Sequence, residues 1–110
     1  MNSVCVLGAG SYGTALAFCL SRNGVKTVLW GRDKEQIELM SENRCNQKYL
    51  PNSIFPKDLS LESDLCKAIV NSQDILIVVP SHAFSQTLQQ AQQYLTPKHR
   101  IIWATKGLEP

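Results

Sequence analysis

The sequence predicts an α/β fold, a doubly wound parallel sheet covered on both faces, in one domain of 110 residues. Short unbroken apolar runs alternate with segments of helical periodicity, the pattern of strands buried on both faces by crossover helices. The loops between them are mostly short, and right-handed crossovers wind such a sheet in both directions. A glycine-rich turn, Gly8-Ala9-Gly10-Ser11-Tyr12-Gly13, joins the first apolar run to the first helical segment.

Val4-Cys5-Val6-Leu7 ends at Gly8 without alternation, so it reads as the first and central strand. From Thr14, the residues Ala15, Leu16, Phe18, Cys19 and Leu20 fall at helical spacing, and Asn23-Gly24 supplies the stop. Lys26 to Trp30 is a second strand closed by Gly31. Asp33 can cap the next helix, with Gln36 completing a capping box, Ile37 and Met40 on its buried stripe and its end near Asn43.

Arg44 to Lys57, with Pro51, Asn52 and Pro56, has no clear period and reads as a long surface connection pinned by its aromatic residues. A brief strand at Leu59 to Glu62 precedes a helix in which Leu65 and Ile69 share a face, ended by Asn71. Asp74 to Val79, halted by Pro80, is the most hydrophobic run and must be a central strand. Ser81 then offers an N-cap for a helix with Phe84, Leu88, Ala91 and Leu95 inside and glutamines outside, terminated by Thr96-Pro97. Arg100 to Ala104 is the fifth strand.

Composition removes several classes. A hydrophobic fraction of 44% and a charged fraction of 18% are those of a folded globular domain. A net charge of +2 with dispersed basic residues gives no surface for nucleic acid. The first residues lack a basic flank and run straight into glycines, so neither a signal peptide nor membrane insertion is expected, and a cytoplasmic location follows. Cys5, Cys19, Cys45 and Cys66 have neither metal-site nor disulfide spacing; they read as reduced structural thiols, with Cys5 and Cys19 acting as small hydrophobes, and no metal is expected.

The turn has the spacing of the dinucleotide fingerprint, and its placement after a buried strand, before a helix and within a βαβ unit meets the conditions that give that pattern meaning. The fold is therefore expected to be Rossmann-like. Gly8 permits the tight turn, Gly10 leaves room for a pyrophosphate against the backbone, and Gly13 lets the helix approach the strand. The positive end of the helix then faces the anion. Between the glycines, the Ser11 hydroxyl can donate to a phosphate oxygen and Tyr12 can lie over the nicotinamide side of the cofactor.

The second strand ends in Gly31-Arg32-Asp33, where an NAD site usually carries an acidic residue. Gly31 removes that carboxylate and Arg32 can bind a 2′-phosphate, so NADP(H) is favoured. Asp33 reads as the helix cap, and as an acidic residue beside the ribose position it keeps NAD(H) open.

Gly8 to Ala17, Leu29-Trp30-Gly31-Arg32, Asn43 through Tyr49-Leu50-Pro51, Val78-Val79-Pro80-Ser81-His82 and Trp103 to Glu109 together resemble the bacterial NAD(P)-dependent glycerol-3-phosphate dehydrogenases over nearly the whole chain. The resemblance implies reversible reduction of dihydroxyacetone phosphate to sn-glycerol 3-phosphate, feeding glycerophospholipid synthesis. It assigns Ser11, Tyr12, Arg32 and Lys106 to the cofactor and Lys106 also to the substrate phosphate. Ser81 and Lys106 follow strand ends on the side where open α/β sheets bind ligands, with His82 beside them, whereas His99 precedes its strand and falls at the opposite edge. Ser81 is therefore counted with the cofactor residues.

The resemblance places the catalytic lysine and most substrate ligands in a helical C-terminal domain that these 110 residues do not contain. Residues 1–110 are thus expected to be an incomplete cofactor-binding domain of a longer enzyme, inactive alone, with a homodimer left open. Two alternatives stand beside it: a non-catalytic dinucleotide-binding module, and a dehydrogenase of another small phosphorylated or hydroxy-acid substrate on the same fold.

Overall fold

A computed structural model describes residues 3–46, 54–79 and 81–103, with only the backbone described for Ser81, His82 and Trp103. The elements run β1 (Ser3–Leu7), α1 (Ser11–Arg22), β2 (Lys26–Trp30), α2 (Lys34–Asn43), β3 (Leu59–Glu62), α3 (Leu65–Val70), β4 (Asp74–Ile77), α4 (Ser81–Gln92) and β5 (Arg100–Trp103). The sheet is parallel throughout, in the order β3-β2-β1-β4-β5. The first strand is central, and the chain winds outward from it in both directions.

Period-two alternation divides the core. Val4 and Val6 of β1 and Leu76 of β4 face one side, where they pack with Leu29, Ala17 of α1, and Ile37 and Met40 of α2. Cys5, Leu7, Ile75 and Ile77 face the other side, against Ala68 and Ile69 of α3 and Ala91 of α4. Because both faces are covered, these strands carry no polar alternation, which is why they read as unbroken apolar runs. Burial pushes the Cys5 thiol far up from its ordinary pKa, so it stays protonated and inert in the sheet.

Asp33 caps α2 through Oδ1, which accepts from the backbone N–H of Glu35 and Gln36. The other half of the capping box, from Asp33 N–H to Gln36 Oε1, is not formed among the described residues; the Gln36 side chain reaches the turn, where its Nε2 donates to the Ala9 carbonyl. Arg44 closes α2 in the left-handed region and donates through Nη2 to the carbonyls of Pro56 and Leu59, both at 2.7 Å. With Phe55 buried nearby, these bonds fasten the far arm of the long connection to the sheet. The aromatic pinning expected from sequence is thus shared with an arginine.

Three other expectations need correction. Ser81 is the first helical residue of α4 and not the residue before it, where an N-cap would stand. The same helix ends at Gln92, short of Thr96-Pro97, because Tyr94 and Leu95 donate three residues back to Ala91 and Gln92 and tighten the last turn. Cys19 is exposed on α1, so only Cys5 of that pair acts as a core hydrophobe; none of the four cysteines forms a disulfide among the described residues.

At the start of β4, Asp74 is 0% exposed and Arg100, its registered partner on β5, grips it with Nε at 2.7 Å and Nη2 at 3.1 Å. That hydrogen bond and the carboxylate's charge raise the Arg100 guanidinium further above its ordinary value. Replacing Arg100 by alanine leaves a buried carboxylate without its partner, which is costly even though the arginine itself faces water. Arg100→Ala is expected to lower the thermal midpoint clearly, and Asp74→Asn added to it to recover part of the loss. A midpoint unchanged in the single variant would show that solvent already satisfies Asp74.

Candidate cofactor-binding site

The site is built where β1 stops. Gly8 keeps one sheet bond, from its N–H to the Trp30 carbonyl at 2.9 Å, and then turns at φ 129°, a conformation side chains disfavour. A Cβ at Gly8 would lie 2.8 Å from the Val78 carbonyl oxygen, and one at Gly13 would lie 1.8 Å from the Gly8 carbonyl oxygen. These two glycines therefore let the strand, the turn and α1 touch backbone to backbone. Gly10 differs, because a Cβ there would meet nothing within 4 Å. Nothing in the protein itself requires glycine there, and the open space it leaves is what a surface reserved for a ligand would show.

Gly10 is also the N-cap of α1 and offers no side-chain acceptor. The first bond of the helix runs from Thr14 N–H to the Gly10 carbonyl, so the N–H groups of Ser11, Tyr12 and Gly13 precede the helical ladder. With the helix dipole, they make an anion-receptive end. Ser11 and Tyr12 are exposed beside it. A dinucleotide pyrophosphate fits this cradle by charge and by the open space at Gly10.

Topology brings further candidates to the same rim. β1 and β4 are neighbours, yet α1 covers one face and α4 the other, so a crevice opens at the carboxyl ends between them. Val78 and Val79 follow β4 there, with the backbone of Ser81 opening α4. Gly31 and Arg32 follow β2 alongside. A Cβ at Gly31 would lie 2.8 Å from Ile37 Cδ1 and 3.0 Å from Ala9 Cβ, so packing against the turn is enough to keep a carboxylate side chain away from this position. Arg32 is exposed and has no salt bridge among the described residues. Asp33 is engaged as the cap of α2, as expected.

Lys106 lies outside the described residues, as do the side chains of Ser81 and His82 and the Tyr49-Leu50-Pro51 stretch. His99 stands at the other edge and is structural: Nδ1 accepts from Thr96 N–H at 2.9 Å and Nε2 meets the Ile69 carbonyl at 3.0 Å. Among the described residues no cluster of His, Cys, Asp and Glu could hold a metal ion, and no helix is long and apolar enough to cross a membrane. A cavity of about 380 Å³, lined by Lys26, Lys57 and Lys67 among others, begins at Ser3 and Lys26, the first residues of β1 and β2. It runs along β2 and β3 as far as Glu62, with Lys67, Asn71 and Ser72 on its α3 side, and no residue of the glycine turn lines it.

Sequence reasoning missed a second tier of site residues. Thr14, Gln36 and Asn46 converge on the carbonyl of Ala9 beneath the turn. Asn46 sits in the connection without periodicity, so no local pattern marks it.

The family model for the NAD-dependent glycerol-3-phosphate dehydrogenase N-terminus matches residues 3–110. This chain belongs to that family. It is 58% identical over 106 residues to a glycerol-3-phosphate dehydrogenase (NAD(P)+) of Glaesserella parasuis, and 56% identical over 107 residues to that of Serratia proteamaculans. These alignments cover 96% and 97% of this chain and 32% of each relative. The crystal structure of glycerol-3-phosphate dehydrogenase from Coxiella burnetii superposes with a TM-score of 0.91 at 41% identity, over 96% of this chain and 32% of that one. The chain thus spans about a third of the length of the relatives it matches, and the five-stranded parallel sheet is the Rossmann-like arrangement expected from sequence.

Proposed function

We propose that this chain is the dinucleotide-binding part of an oxidoreductase that interconverts dihydroxyacetone phosphate and sn-glycerol 3-phosphate with a nicotinamide cofactor, in the cytoplasm and in support of glycerophospholipid synthesis. The observation that carries the reading is the uncapped start of α1, closed backbone to backbone on Gly8 and open at Gly10. Its relatives bear the name of that activity.

In this reading the N–H groups of Ser11, Tyr12 and Gly13 hold the pyrophosphate, with Gly8 and Gly10 shaping the surface. The Ser11 hydroxyl adds a donor, and Tyr12 covers the nicotinamide side. Ser81, at the start of α4, lines the crevice from its other side, and Lys106 meets the cofactor and the substrate phosphate. The bound cofactor supplies the hydride; these residues bind and orient it. No residue among these is assigned as the acid that protonates the forming alkoxide.

NADPH oxidation by the full-length enzyme with dihydroxyacetone phosphate tests the reading, and no rate above background rejects it. For cofactor choice, Arg32 is placed against the 2′-phosphate, so Arg32→Ala should weaken NADPH binding by about 10- to 100-fold and NADH binding much less. Equal losses for the two cofactors would remove the 2′-phosphate contact.

A further inference from the structure

The carbonyl of Ala9 belongs to a buried residue, and a buried carbonyl needs a donor. Side chains from three parts of the chain supply them: Thr14 Oγ1 of α1 at 3.4 Å, Gln36 Nε2 of α2 at 3.5 Å, and Asn46 Nδ2 of the following connection at 3.4 Å. Asn46 Nδ2 also donates to Thr14 Oγ1 at 2.9 Å, which turns the hydroxyl proton towards Ala9. Each bond to the carbonyl is long and weak alone. Thr14 and Asn46 are 0% and 1% exposed, so neither has water as a substitute partner.

The consequence for the turn follows from peptide geometry. The described peptide bonds are trans, and in a trans peptide the C=O and N–H point in opposite directions. With the Ala9 carbonyl held inward, the N–H of Gly10 is held outward, at an exposed residue with open space around it. Rotation of this one peptide would point an oxygen at the anion.

We propose that Asn46 is a positioning residue for the cofactor, locking the Ala9–Gly10 peptide through Thr14 so that the Gly10 N–H faces the pyrophosphate. This rests on the dinucleotide reading of the turn and adds to it a residue 37 positions from Ala9 in sequence.

The test is titration of the isotope-labelled full-length protein with ADP, which carries the same diphosphate, followed at the Gly10 amide by NMR. Wild type is expected to shift that amide on binding. Asn46→Ala should weaken ADP about tenfold and shrink the Gly10 shift at saturation, with the amides of β3 and α3 at their native positions. Thr14→Val keeps the side-chain shape without the hydroxyl and should do the same, covering the case in which Asn46→Ala does not fold. Thr14→Ser keeps the hydroxyl and should restore both readouts. Folded variants with wild-type affinity and a wild-type Gly10 shift overturn the positioning role. Failure of the wild type to bind ADP overturns instead the dinucleotide reading itself.

Discussion

Gly13→Ala is expected to cost about 3 kcal/mol of stability or more and to weaken dinucleotide binding by at least about tenfold. The added methyl would sit 1.8 Å from the Gly8 carbonyl oxygen, a backbone atom with no side-chain rotamer to relieve the contact. Relief requires α1 to move off the turn, and α1 carries Ala17 and the anion-receptive N–H groups with it. Fold and binding therefore fail together. Gly10→Ala is the counterpart: φ is −78° and the methyl meets nothing within 4 Å, so stability should hold or rise by a few tenths of a kcal/mol while binding falls by a comparable factor. Denaturant melts and dinucleotide titrations of both variants check this. Equal binding by wild type and Gly10→Ala would show that the open space at Gly10 is not where the cofactor lies.

The glycines were legible from sequence because each does a local job at a fixed offset from a strand end. The central placing of β1 and β4 was legible for a related reason: unbroken runs such as Val4 to Leu7 and Asp74 to Val79 are tolerated only where helices cover both faces. Element ends were less so. Leu95 keeps to the inner face after α4 has ended, so the apolar period continues through a tightened turn and overstates the helix. The second run likewise leaves the strand at Ile77, although Val78 still donates to the Leu7 carbonyl. Asn46 was illegible for a stronger reason. Its partners Ala9 and Thr14 lie 37 and 32 residues away, and nothing in a segment without periodicity indicates which residue turns inward.

Ile77→Ala is the second large effect, about 2 to 5 kcal/mol of destabilisation. Ile77 is 0% exposed and stands in register with Leu7 on one side and Trp103 on the other, at the centre of the sheet just below the turn. Truncation leaves a cavity between the sheet and the helices α3 and α4, where close packing leaves few atoms free to fill it. The cradle itself is held by backbone contacts and by side chains on the opposite face. Once folded, Ile77→Ala should therefore bind dinucleotide within about twofold of wild type, a difference of a few tenths of a kcal/mol. Urea unfolding with and without cofactor separates the two quantities, and a large binding loss in folded protein would mean that the turn depends on this face as well.

The most direct measurement is a crystal structure of the full-length protein with NADPH. Phosphate oxygens should lie about 3 Å from the backbone nitrogens at the start of α1, against Gly10, with the 2′-phosphate beside Arg32. Density for the dinucleotide in the cavity along β2 and β3 that Lys26, Lys57 and Lys67 help to line, with the glycine turn bare, would contradict the account.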